Sequence, residues 1–230
     1  MKRPITAAFG AMALAMSASV SHAVPMVYTD RALFDADLPL VVLVEDFEGT
    51  AAGTLIADGG SFGGITFNYP GLAGFGVSLA VTDGDQFGGI GGPFDTTSGT
   101  NFLGTDDADI LQGGDDIDLG FDPVNAIGMY FISNDDDILD GDIELTAGGA
   151  TASLDVSMIQ TTLPDGSNVF FLGIIDDMSP FSTASITSAC VGCFLFNVDD
   201  IVTARVPEPS TLLLLSAGLL PLLRKVKAHA

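Results

Sequence analysis

Between residues 24 and 205 the chain is built from short runs that either alternate apolar with polar residues or are apolar throughout, parted by turns rich in Gly, Asp and Ser. The runs are Leu40–Phe47, Ile65–Tyr69, Phe75–Thr82, Ile117–Phe121, Ala126–Ser133, Asp142–Thr146, Ala152–Met158, Val169–Ile175, Ala184–Ala189 and Phe194–Ala204. A period of two places one set of side chains inward and the other outward, which is the signature of half-buried strands. In Ala152–Met158, for example, Ala152, Leu154, Val156 and Met158 fall on one face and Ser153, Asp155 and Ser157 on the other. Val169–Ile175 is apolar on both faces and suits a central, doubly covered strand. One helix is expected: Thr29 or Asp30 caps a turn through Arg31, Leu33, Phe34 and Leu38 that Pro39 stops. No helical stripe is long enough to cross over between parallel strands, so the expected fold is all-β. Its form is an antiparallel, jelly-roll-like sandwich, with a barrel or another sandwich topology as the alternative.

Charge limits what such a domain can do. The chain carries 30 Asp+Glu against 7 Lys+Arg, a formal net charge of −23. Nucleic acid is excluded as a partner, since neutralising phosphates requires clustered cations. Hydrophobic residues still make up 47%, enough for a sizeable core rather than a disordered acidic tail. Of the cations, Lys2 and Arg3 open the chain, Arg224, Lys225 and Lys227 close it, and only Arg31 and Arg205 lie between. His22 and His229 are likewise terminal, so residues 24–206 contain neither His nor Lys. Ser–His–Asp and Cys–His nucleophilic sites, Lys Schiff bases and His-bound zinc are therefore unavailable to the body.

Both ends read as addresses. Lys2 and Arg3, the apolar stretch from Ala7 to Met16 and the small residues of Ser21-His22-Ala23 form a signal peptide over 1–23, to be removed by signal peptidase. At the other end come Val206-Pro207-Glu208-Pro209-Ser210-Thr211, the apolar block Leu212–Leu223, and Arg224-Lys225-Val226-Lys227. Twelve apolar residues span only about 18 Å as a helix, against roughly 30 Å of hydrocarbon, so this short transmembrane helix is a weak permanent anchor. The three-part order resembles the PEP-CTERM sorting signal of exported proteins in exopolysaccharide-producing Gram-negative bacteria. Pro221 stands where many members carry Gly or another small residue. The resemblance covers 206–230 and implies recognition of Pro207, Glu208 and Pro209 by an exosortase-type membrane transpeptidase. It further implies an inner-membrane intermediate, then delivery to the cell surface or extracellular matrix.

Four constellations in the body could carry chemistry. Residues 134–144 and 105–118 are dense in Asp, which suits hard, oxygen-preferring cations. The first does not fit the EF-hand spacing, and leaves a metal loop or a solvated acidic hairpin open. The second holds one degenerate copy of a calcium nonapeptide that works only in stacked arrays. The third pairs Glu45-Asp46-Phe47-Glu48, at the end of the first long strand, with Asp199-Asp200-Ile201 on the last. This closing Asp-Asp-Ile looks like the end of carbohydrate-binding jelly rolls, which commonly hold a structural calcium between opening and closing strands. The resemblance implies Asp46, Glu48 and Asp199 as Ca2+ ligands, with Asp200 as a further one; solvent-facing acids are the alternative. The fourth is Cys190-Val191-Gly192-Cys193, expected as a structural disulfide in an exported chain.

The expected function is thus a non-catalytic, acidic surface or matrix protein, with Ca2+ as the one cofactor its acidic strand ends suggest. A glycan-binding module acting on exopolysaccharide is the first alternative, although the chain has no Trp and only Tyr28, Tyr69 and Tyr130 as amphipathic rings. A glycoside hydrolase working through two carboxylates is the second.

Overall fold

The computed structural model describes residues 24–38, 41–88 and 94–205. The expected signal peptide (1–23) and sorting signal (206–230, with Pro207, Glu208 and Pro209) lie outside the described residues. In chain order the elements are β1 (Met26–Tyr28), α1 (Arg31–Asp37), β2 (Val41–Glu45), β3 (Thr54–Ile56), β4 (Gly60–Phe62), β5 (Ile65–Asn68), α2 (Pro70–Gly74), β6 (Leu79–Thr82) and β7 (Phe102–Thr105). They continue with β8 (Leu111–Gln112), β9 (Ile117–Val124), β10 (Ala126–Ser133), β11 (Ile143–Ala147), β12 (Ala150–Ser153), β13 (Thr161–Thr162), β14 (Asn168–Ile175), β15 (Phe181–Ser188) and β16 (Leu195–Ala204).

These strands form two sheets, and every pairing is antiparallel. The larger runs β1-β14-β10-β16-β7-β6-β3, with β13 on β14 and β2 and β8 on β16; the smaller runs β12-β11-β15-β9-β5-β4. Between them lies a shared core in which Phe131, Phe170, Leu172, Ile174, Phe196 and Val198 of the large sheet are buried with Ile65, Phe67, Leu119, Leu145 and Ile186 of the small one. The β-branched and aromatic content of those strands is what a pleated, buried surface favours.

β14 is central, as its composition requires. Phe170, Leu172 and Ile174 face the shared core, while Phe171 and Ile175 join a second cluster on the outer face with Phe34 of α1. α1 starts where expected: Asp30 is its N-cap, accepting from the Leu33 N–H at 2.9 Å. It lies on the outer face because Gly128 and Gly173, cross-strand partners on β10 and β14, leave a slot for the Phe34 ring. A Cβ at Gly173 would stand 2.7 Å from that ring.

Two sequence expectations need correction. Alternation in Ala152–Met158 suggests a strand throughout, but β12 ends at Ser153. Asp155 accepts from the Ser157 N–H at 2.9 Å and turns the chain, so Met158 is 39% exposed instead of facing inward. In the run Phe75–Thr82 only Leu79–Thr82 is strand, because Pro70 at the first helical position starts the short α2, which occupies the approach.

Candidate functional site

The opening and closing strands adjoin: β2 pairs with β16, with Glu45 opposite Ile201 and Val44 opposite Val202. Immediately before this pairing β16 bulges. Tyr130 faces Asp199 and Gly128 faces Val202, so two residues of β16, Asp200 and Ile201, stand against one of β10. Asp200 takes a left-handed backbone, φ 50°, a conformation Asp tolerates better than most residues. The bulge explains the Val198-Asp199-Asp200-Ile201 pattern. Val198 and Ile201 both enter the shared core, and the two carboxylates between them reach the same outer side, where Thr97 Oγ1 lies 2.7 Å from Asp199 and 3.2 Å from Asp200.

Asp199 is fully buried there. Its carboxylate accepts from the Thr97 N–H (3.0 Å), the Ser98 N–H (3.1 Å) and its neighbour's Asp200 N–H (2.8 Å), with Ser98 Oγ at 3.2 Å. Glu48, from the opening element, grips the same segment further on: its Oε1 accepts from the Thr100 N–H (2.7 Å) and the Asn101 N–H (2.6 Å). Asn101 in turn donates to the Phe47 and Thr50 carbonyls at 3.3 and 2.8 Å. Asp46 accepts from the Glu48 N–H at 3.1 Å, and its carbonyl lies 3.5 Å from Ser98 Oγ. The four predicted residues are therefore drawn to one place, around residues 97–101 just before β7.

What they hold in this arrangement is the chain. A calcium ion needs six to eight oxygen ligands with free lone pairs. Here both oxygens of Asp199 and Oε1 of Glu48 face N–H and O–H donors, and no group of three or more acidic, His or Cys side chains among the described residues is placed to share a cation. As folded, these side chains form a hydrogen-bonded clamp on residues 97–101.

The same use of Asp recurs across the domain. Asp46, Asp83, Asp135, Asp155, Asp165 and Asp176 each accept from the backbone N–H two residues on, at 2.8–3.1 Å. In the acidic stretch 134–144, Asp135 also accepts from the Leu195 N–H, Asp140 from the Val156 N–H and Asp142 from the Leu139 N–H. In 105–118, the fully buried Asp109 accepts from the Gln86 and Phe87 N–H groups at 3.1 and 2.8 Å. The short carboxylate thus terminates turns and tethers loops, which is a structural reason for so Asp-rich a composition. Cys190 and Cys193 are disulfide-bonded, with Cα atoms 5.5 Å apart, directly before the buried Phe194 and the start of β16.

Burial has an electrostatic consequence. Burial raises Asp199 to about 6, against donation from Thr97 and with the Asp200 charge adding to it; burial likewise raises Asp115 to about 6. The unfolded chain releases these protons near pH 3.8, so between that value and about 6 the folded chain holds more protons than the unfolded one. Stability is then gained as pH falls through 6 and is lost as pH rises through it. We expect lowering the pH from 7.5 to 5 to add about 2 kcal/mol, chiefly from Asp199, since Asp115 is partly open to water and its share is screened. Denaturant midpoints of the full chain at the two pH values check this; equal midpoints would show that neither proton is held.

Three features leave little trace in the sequence. The clamped segment 97–101 is a bland Thr-Ser-Gly-Thr-Asn run. Arg31 stacks over the Tyr130 and Phe171 rings, 5.4 and 5.6 Å from their centroids, while pairing with Asp35 at 2.8 Å. Its isolation as one of two interior cations was the available signal. The third is a groove between α2 and the Cys190–Cys193 turn.

No protein-family model matches the chain, and no curated protein matches it. Among solved structures, the K2 cleaved adhesin domain of Lys-gingipain is similar at a TM-score of 0.44 and 13% sequence identity, over 71% of this chain and 97% of that domain.

Proposed function

We propose that this is an exported, non-catalytic surface or extracellular-matrix protein of a Gram-negative bacterium, with an acidic jelly-roll-like sandwich as its mature body. The observation that carries the reading is the segregation of cations. Five of the seven Lys and Arg residues sit in the first three and last seven positions, flanking apolar stretches, and the body between has no Lys. That pattern suits a chain led out by a cleavable signal (1–23) and halted by a short apolar segment whose cations stay on the cytoplasmic side. Pro207, Glu208 and Pro209 are then the element that an exosortase-type transpeptidase recognises. A strongly anionic, folded body suits such a location, since self-repulsion keeps it from aggregating. The absence of His and Lys from residues 24–206 supports the non-catalytic reading.

The full chain, expressed in a Gram-negative host that carries an exosortase, tests it. The body is expected outside the inner membrane and shortened at both ends. Replacing Pro207, Glu208 and Pro209 together by alanine is expected to leave a full-length tail in the inner-membrane fraction. Recovery of the intact chain from the cytosol with both ends unprocessed overturns the proposal.

A further inference from the structure

Large apolar side chains that stay in water mark contact surfaces when they gather. Phe75 and Val191 are each 89% exposed, more than any other large hydrophobic residue among those described. They come from distant parts of the chain, Phe75 from the C-terminal end of α2 and Val191 from the disulfide turn, yet they line one groove of about 390 Å³. Its remaining walls include Leu72 and Val77, with Asp107, Gln112 and Asp115 as the polar side chains.

The groove is held in shape. Phe75 and Val77 both donate backbone N–H bonds to the Leu72 carbonyl, at 2.9 and 3.2 Å. The disulfide turn rests on Gly113 and Gly114: the Gly192 N–H donates to the Gly113 carbonyl at 2.7 Å, and a Cβ on Gly113 would stand 2.3 Å from the Cys190 carbonyl oxygen. Glycine is required there for the turn to sit down and present Val191 opposite α2.

Hydrogen-bonding capacity is left over in this groove. Asp115 accepts from the Gln112 N–H through Oδ2 at 2.8 Å, and Asp107 accepts from Thr105 through Oδ1 at 2.8 Å; the other oxygen of each carboxylate meets no donor among the described residues. The Gln112 carboxamide makes no hydrogen bond among them either. Backbone groups, by contrast, are used: the N–H groups of Gln112, Gly113 and Gly114 donate to Asp115, to the Phe194 carbonyl and to Ser188 Oγ. The N–H groups of this stretch are therefore not free to pair with a peptide strand. Asp107, Asp115 and the adjacent Asp116 bring negative charge to the site, and no cation lines it.

We propose that this groove is a subsite for an amino sugar, a hexosamine ring with a free amine. Such a ring has two C–H faces that suit Phe75 and Val191, a rim of hydroxyls for the Gln112 amide, and one ammonium for the unpaired oxygens of Asp107 and Asp115. Charge complementarity selects it over neutral and acidic sugars, since a uronate would face three like charges. Burial and the charges of Asp107 and Asp116 hold Asp115 at about 6, and a neighbouring ammonium relieves that repulsion. The proposal goes beyond the surface-protein reading and does not depend on export, so the binding assay and the localisation experiment fail separately.

Titration of the purified full chain in detergent, at pH 6.5 and low salt, tests it with four probes. They are a glucosamine trimer, the N-acetylated trimer, a galacturonate trimer and a short Lys–Leu peptide. The glucosamine trimer is expected to bind at least roughly tenfold more tightly than the others, the worth of one charge-assisted hydrogen bond. Phe75→Ala and Asp115→Asn are each expected to remove that preference by about the same factor while the far-UV spectrum stays as in the parent. Equal binding of the acetylated trimer, tighter binding of the peptide, undiminished binding by Phe75→Ala, or no binding of any probe overturns the assignment.

Discussion

Phe34→Ala is expected to cost the protein about 3–5 kcal/mol, the usual range for removing a fully buried phenylalanine. The figure belongs at the upper end because the site cannot collapse. Gly128 and Gly173 supply no side chain to move into the vacated slot, and a Cβ on Gly128 would already stand 2.5 Å from the Phe171 ring. The loss is also concentrated. α1 has only seven residues, too few to persist as a helix without tertiary anchoring. Phe34 is its buried residue, packed 5.1 Å from the Phe171 ring and 5.6 Å from Tyr28. Losing it frees α1 and with it the Arg31 stack on Tyr130 and Phe171. Chemical denaturation should therefore show the destabilisation, and hydrogen exchange should show Phe34 and Leu38, whose N–H groups bond to Asp30 and Asp35, opening first. Leu33→Ala, one residue earlier but 62% exposed, is the control and is expected to change stability by less than about 0.5 kcal/mol. A Phe34→Ala loss no larger than that of the control would mean that α1 does not hold the outer face.

Much of this architecture is legible because the sequence states it locally. Ala126–Ser133 coincides with β10, and Val169–Ile175 and Phe194–Ala204 fall within one residue of β14 and β16, since β-branched and aromatic runs covered on both faces leave no ambiguity of period. α1 is legible from two residues, Asp30 as its cap and Pro39 beyond its end. β7, Phe102–Thr105, is not legible although all four residues are buried. It is short and contains Gly104, whose presence is explained only by the fold: a Cβ there would stand 2.1 Å from the Asp109 carbonyl oxygen. Alternation over-extends β12 because Asp155 is polar in the right place for a solvent face, while its role is to make a turn with Ser157. The acidic site divides in the same way. That β2 and β16 adjoin, and that Asp46, Glu48, Asp199 and Asp200 gather there, follows from topology and the Asp-Asp-Ile pattern. Their partners, Thr97 to Asn101, lie about a hundred residues before Asp199 and are of types that occur in any loop, so nothing local links the two.

Asp199→Ala is the second large effect, expected to cost about 3 kcal/mol. Two opposed terms decide it. Ionised Asp199 is fully buried, and its removal returns the desolvation that raises its pKa to about 6. Against that, alanine leaves the part-buried Thr97, Ser98 and Asp200 N–H groups without their acceptor, at about 1 kcal/mol each. Three donors outweigh one carboxylate, and the sign is a loss. Hydrogen exchange separates this from a general loosening: Thr97 and Ser98 should lose protection while Thr100 and Asn101, held by Glu48, keep theirs. Glu48→Ala should reverse that pattern at a cost of only about 1 kcal/mol, because exposed Glu48 can be replaced by water. Calcium distinguishes the clamp from the ion staple that the sequence pattern also allows. A clamp satisfied by its own N–H groups predicts a melting midpoint that chelator and millimolar calcium leave alone, in the parent and in Asp199→Ala. If calcium instead raises the parent's midpoint and the rise vanishes in Asp199→Ala, the carboxylate is exchanging its backbone donors for a cation, and the clamp is the ion-free half of a metal switch.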